Sequence, residues 1–321
     1  MLSRVADSLY WMSRNVERAE NNTRLIDVKW ISMLENFDPE SKGGQDWEEI
    51  IQINGYQNVF RENYPDGSSS SAIDFLAFSD LNPNSILNCI QISRENARMV
   101  REIIPQELWE LINTFYWDIK QTSDTALKKD NITDFFARVK DQSLRFQGMI
   151  EATMPRDEAY LFIRMGKLLE RAEKTARILD VYYHKAPGTH FNQEIIDYHH
   201  WWAVLQSVSG HEAFLKKYRP FIRGKKVVSF LISDPSFPGS ICFCINRVME
   251  AFMELEKDEI KHYSRKLYDE LHLLQSDLHG LSMAQVTDQG VHAFLNKVQS
   301  RCDRIGRLII QTYYLGELQA L

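Results

Sequence analysis

Two stretches of this chain carry one charged spacing: Glu17-Arg18, Glu20, Arg24 and Asp27 recur as Glu170-Arg171, Glu173, Arg177 and Asp180. Planar arginine forks match carboxylate or phosphate bidentately, and nearby carboxylates can hold those forks or accept from a substrate amine. That is binding chemistry, because no nucleophile motif, glycine-rich phosphate loop or metal-ligand cluster accompanies the arginines. Three readings are open. Glu20 and Arg24, four apart, can form an ordinary helix ion pair worth about 0.3–0.5 kcal/mol, repeated by Glu173 and Arg177. The set can instead converge, through a pseudo-twofold arrangement, as a buried ion network or an anion pocket. Glu17 or Glu170 can also act as a general base, with arginines as oxyanion donors, in acyl or aminoacyl transfer.

All these residues need helices to position them. At 100° per residue, Glu17, Glu20, Arg24 and Asp27 fall within an arc of about 80°. The adjoining arc carries Met12, Val16, Ala19, Thr23 and Ile26, matched by Met165, Leu169, Ala172, Ala176 and Leu179, which predicts a core face. Leu25 and Ile178 lie on the opposite flank with Tyr10, Trp11 and Ile163. A helix apolar on most of its circumference belongs in the interior, so the charges are expected between helices, paired or hydrogen-bonded.

The two helices head a longer internal repeat. Residues 9–28 align without gaps on 162–181 with eight of twenty positions identical. Trp47/Trp202, Gly55/Gly210, Phe75-Leu76/Phe230-Leu231, Pro83/Pro238, Ser85/Ser240 and Cys89/Cys244 continue it at an offset of 155, and Arg145/Arg304 close it more loosely at 159. The expected architecture is all-α, a helical bundle of two tandemly duplicated units, about 1–155 and 156–321, in one compact domain over 1–321. Pro155 and Arg156 mark the junction. Ser85 and Ser240, each two residues after a proline, are expected to cap long helices. The strand-like run at 227–233 aligns with SAIDFLAFS, which predicts short helices in both places. DPESKGG at 38–44, YPDGSSSS at 64–71 and KAPGTH at 185–190 read as loops.

Composition excludes several functions. A net charge of −6 over 321 residues, with bases interleaved among acids, leaves no footprint for nucleic acid. No apolar run is long enough to cross a membrane, and Arg4 and Asp7 interrupt any leader, so a soluble cytoplasmic protein is expected. Four cysteines without zinc-type spacing read as small core residues. No cofactor or metal is expected. Glu259/His262 and Asp269/His272 have the three-residue spacing of di-iron ligands, but their solvated surroundings point to a surface helix. His199, His200, Trp201 and Trp202 form an aromatic cluster in which Trp202, matching Trp47, is expected in the core. The sequons at Asn21 and Asn131 read as chance.

MLSRVADSLYWMSRNVERAENNTRLIDV and RMGKLLERAEKTARILDV resemble the alpha-E domain family of bacteria, and the likeness extends through SRENARMVREIIPQELWELIN, FQGMIEATMPRDEAYLFIRMGK, WAVLQSVSGHEAF and FLISDPSFPGSI. The resemblance implies an all-helical fold and a Glu-Arg motif at Glu17-Arg18 and Glu170-Arg171, with no particular activity. It also implies a protein partner, because family members are encoded beside or fused to ATP-grasp amidoligase-like proteins, often near transglutaminase-like and proteasome-like peptidases. A binding or scaffold role in peptide ligation or modification follows as an expectation. Arg94, Asn96 and Arg98 match the family in a further block. They are expected either to face the same centre or to brace adjacent helices.

Overall fold

In the computed structural model, residues 3–35, 47–123, 132–184, 193–218, 221–279 and 290–313 are described. Among them the chain forms fourteen α-helices and no strand. It divides into two compact units, Trp11–Arg156 and Met1–Tyr10 with Asp157–Leu321. The division at Arg156/Asp157 lies beside the junction read from the sequence. The assignment of the first ten residues to the later unit had no sequence signal.

In the unit Trp11–Arg156, helix α1 (Ser3–Glu35) supplies all but its first turns. Three short helices follow, α2 (Glu48–Asn54), α3 (Gln57–Asn63) and α4 (Ser69–Ala77). Three longer ones complete the unit: α5 (Ile86–Met99), α6 (Gln106–Ser123) and α7 (Ile132–Thr153). α6 packs against both α5 and α7. α1 is tied to α5 where the Ser93 hydroxyl donates to the Met12 carbonyl at 2.8 Å, with both ends buried.

The other unit also opens on a long helix with six described helices after it. α8 (Glu158–His184) is followed by α9 (Gln193–Ser207), α10 (His211–Tyr218) and α11 (Gly224–Ser233). Then come α12 (Ile241–Leu255), α13 (Arg265–His279) and α14 (Val291–Tyr313). α8 is its axis, packing most heavily on α12 and α14, while α13 touches both of those helices.

Apolar periodicity holds the long helices in place. Met12, Val16, Ala19, Thr23 and Ile26 on α1, and Met165, Leu169, Ala172, Ala176 and Leu179 on α8, are all buried, as expected. Burial of each large apolar side chain contributes roughly 1.5–3 kcal/mol, several times an i,i+4 ion pair, so the apolar seam dominates the charges in seating these helices. The expected caps are present: the Ser85 hydroxyl accepts from the Asn88 amide at 3.3 Å, and that of Ser240 from Phe243 at 3.0 Å. Each satisfies an orphan amide at the start of a helix of 14 or 15 residues. Val227–Ser233 is helical within α11, where one apolar face is buried.

Several expectations change in detail. The serine-rich loop is shorter than 64–71, because Ser68 caps α4 and Ser69–Ser71 form its first turn. The tryptophan buried in the manner of Trp47 is Trp201, while Trp202 is half-buried with its ring beside His211. Glu259 and His262 are exposed in the connection between α12 and α13, not on a helix, and there Lys257 and Asp258 take left-handed backbone. The four cysteines are buried, as expected of small core residues. The segments 38–44 and 185–190 and Asn131 lie outside the described residues.

Candidate functional site

On α1 the carboxylates face inward. Glu17 is 1% exposed and Glu20 5%. Glu17 accepts from Asn21 Nδ2 at 3.3 Å and from Gln147 Nε2 on α7 at 3.1 Å. The same Gln147 nitrogen donates to Glu20 at 2.8 Å, so one amide holds two buried carboxylates. Because carboxylates only accept, this surrounding fixes the amide orientation of Gln147. The other Glu20 oxygen takes Nε and Nη2 of Arg24 at 3.1 and 2.7 Å. One turn further, Asp27 receives Lys140 of α7 at 2.6 Å.

Arg18 points elsewhere. Its Nη1 donates to Asn84 Oδ1 at 2.9 Å, while Asn22 Nδ2 donates to the Asn84 carbonyl at 2.7 Å. Asn84 sits in the Pro-Asn-Ser turn before the Ser85 cap, and its amide is held by Asn82 Oδ1 at 3.0 Å. The segment that starts α5 is therefore also what α1 grips.

α8 repeats much of this. Glu170 and Glu173 are buried, and Arg177 Nη2 reaches Glu173 at 2.8 Å. Thr175, aligned with Asn22, donates to the carbonyl of Gly239, the residue before the Ser240 cap, at 2.9 Å. Asp180, aligned with Asp27, receives Gln299 of α14 at 3.3 Å and contacts His292 Nδ1 at 2.5 Å. Gln299 aligns with Lys140 at the offset of 159 seen for Arg145/Arg304.

The two sets also differ. The position aligned with Gln147 is Gly306, and that aligned with Asn84 is Gly239, so α8 has neither side chain to work with. A Cβ at Gly239 would lie 2.6 Å from the Phe237 ring, which leaves no room for an asparagine there. Arg24 and Arg177 are 21% and 32% exposed in their side chains, and among the described residues neither has an ion-pair partner besides its own helix glutamate. Arg177 Nε is buried without a partner.

The third predicted block does not join this cluster. Arg94 Nε donates to Asn113 Oδ1 of α6 at 2.8 Å and Nη1 to Glu95, and its guanidinium lies 5.0 Å from the Tyr116 ring centroid. Arg98 pairs with Glu95 at 2.7 Å, and Asn96 donates to the Ile92 carbonyl of its own helix. These side chains brace α5 against α6 or fold back on α5. Gln147, Asn84, Lys140 and Gln299 are the contributors that sequence reasoning missed. Two clues existed, since Asn84 lies within the capping motif and Gln147 within a family-like block.

Among the described residues no three His, Cys, Asp or Glu gather closely enough to hold a metal ion. No described helix is long and apolar enough to cross a membrane. A family model described as a predicted alpha-helical domain with a conserved ER motif, Alpha-E, matches residues 1–314. The chain belongs to the Alpha-E family. No curated protein and no solved structure matches it. In this Alpha-E chain the ER pairs are Glu17-Arg18 and Glu170-Arg171, and both glutamates are buried, at 1% and 3% exposure. Each pair belongs to a helix whose next turns carry the anchoring contacts to the cap turn and the closing helix.

Proposed function

We propose that this chain is a non-catalytic helical binding or scaffold component that works in the cytosol with an ATP-grasp amidoligase-like partner in peptide ligation or modification, and that its Glu-Arg centre binds carboxylate or phosphate. The observation that carries the binding reading is the state of Arg24 and Arg177. Each gives one or two guanidinium nitrogens to a buried glutamate, while its side chain as a whole stays 21% or 32% exposed. A guanidinium oriented in this way has lost its rotational freedom before any ligand arrives, which lowers the entropy cost of taking a carboxylate or phosphate. We further propose that the two units arose by duplication. The long opening helix of each unit, with six described helices after it, and the paired contacts of Asn22/Thr175, Asp27/Asp180 and Ser85/Ser240 support that reading.

Thermal unfolding of the full chain with phosphate, ATP and short peptides, compared with an Arg24→Gln/Arg177→Gln variant, tests the binding proposal. A saturating ligand at about 100 times its Kd stabilises by about 2.7 kcal/mol, so the wild type is expected to shift and the variant not to. Absence of any shift in the wild type overturns it. Cross-linking with the amidoligase-like protein tests the partnership, and recovery of neither partner with the other overturns that part.

A second reading has its own observation. The buried Glu17 and Glu20 are both bonded to the half-buried Gln147, the arrangement of a network that fixes how α1 and α7 pack. On that reading function resides in a protein interface, and the Arg24→Gln/Arg177→Gln variant loses stability without losing any ligand response.

A further inference from the structure

Away from the Glu-Arg helices, α2, α3 and the turn at 64–67 enclose a cleft of about 380 Å³ within the unit Trp11–Arg156. That volume is in the range of roughly 300–1,000 Å³ in which small-molecule sites fall. Part of its wall is apolar: Ile51 and Phe60 are buried, and Pro65 and Tyr64 continue that part. The rings of Phe60 and Tyr64 stack at 5.4 Å with 12° between planes, and both lie against Phe75. The Tyr64 hydroxyl is committed to Asp74 at 2.8 Å, so the ring and not its polar end is free to meet a ligand.

Two opposite charges also line the cleft. Glu48 from α2 and Arg61 from α3 pair with each other, at 47% and 63% side-chain exposure. An exposed pair of this kind contributes little to stability, so separating it costs little. A lone anion would meet Arg61 but face Glu48, and a lone cation would suffer the reverse. A ligand with a positive and a negative group on one carbon satisfies both at once. The Glu48 and Arg61 side chains already touch, so the ligand's two charges must be close together. That is the spacing in a free α-amino acid, whereas the termini of a peptide stand further apart.

We propose that this cleft binds a free α-amino acid with a large apolar or aromatic side chain, its carboxylate on Arg61, its ammonium on Glu48 and its side chain against Ile51, Phe60 and Tyr64. Aromatic side chains gain from edge or offset contact with the stacked rings. The site is independent of the Glu-Arg centre, for none of its residues lies on α1 or α8.

Titration calorimetry of the full chain with L-phenylalanine, phenylacetate and phenethylamine is the test, together with Glu48→Gln and Arg61→Gln variants whose fold is checked by circular dichroism. Both positions are solvent-exposed, so native folding is expected. Phenylalanine is expected to bind saturably below about 10 mM, with each single-charge analogue and each variant weaker by about tenfold or more. No saturable binding of phenylalanine in that range overturns the proposal. So does equal binding of phenylacetate or phenethylamine, or unchanged affinity in both variants. Phosphate and peptides carry the test of the Glu-Arg centre, so failure here leaves that reading standing.

Discussion

Replacing Gln147 by alanine removes one amide nitrogen that serves two buried carboxylates, Glu17 at 3.1 Å and Glu20 at 2.8 Å. A hydrogen bond to a charged group contributes about 1.5–3 kcal/mol, so two set a ceiling of about 6 kcal/mol. The loss is smaller than that ceiling, because Glu17 keeps Asn21 and Glu20 keeps both Arg24 donors. We expect Gln147→Ala to lose about 2–4 kcal/mol, read as a lower urea midpoint by far-ultraviolet circular dichroism. Gln147→Glu separates electrostatics from packing. It keeps the side-chain shape but places a third carboxylate against the other two, and is expected to be at least as damaging as alanine at neutral pH. If alanine costs less than about 0.5 kcal/mol, or if glutamate is nearly neutral, the amide is not what holds these carboxylates.

Two further outcomes follow from local geometry. At Asp234, burial alone would raise the carboxyl pKa, but hydrogen bonds from Lys217 and Ser236 and the charge of Lys217 outweigh it and hold it below the usual carboxylate range. Its stabilisation is therefore present above about pH 4 and lost as pH falls through the lower folded value. Asp234→Asn is expected to melt lower than wild type at pH 7 and to converge on it toward pH 3, and a constant gap across that range would contradict the assignment. Glycine-to-alanine changes should differ in sign. A Cβ at Gly224 would stand 2.6 Å from the buried Trp201 ring, so Gly224→Ala is expected to cost about 1–3 kcal/mol. At Gly148, inside α7, a Cβ meets nothing within 4 Å, and alanine is expected to stabilise by about 0.5–1 kcal/mol. Thermal melts of the two variants check both, and equal effects would refute the steric argument.

The residues that write α1 and α8 into the sequence are local ones. Apolar side chains recur every three or four positions from Met12 to Ile26 and from Met165 to Leu179, and burial of such a stripe is the main energy available to a helix, so the helical class and its inward face were readable directly. The caps at Ser85 and Ser240 were readable too, because an N-cap needs only a hydroxyl and the amide three residues on. The positions of Glu17, Glu20 and Arg24 on one face followed from helical geometry, and so did the Glu20–Arg24 pair.

Partners across the fold were decided by tertiary structure. Gln147 is 130 residues from Glu17, and Asn84 is 66 from Arg18. Nothing local selects those residues over other amides, because the choice depends on which helices pack and in what register. The same cause sends Arg94 to Asn113 and Tyr116 rather than toward Glu17, and buries Trp201 where the repeat pointed to Trp202. Helix periodicity constrains which face turns inward. It does not specify which neighbour that face will meet, since apolar burial is non-directional and many pairings satisfy it.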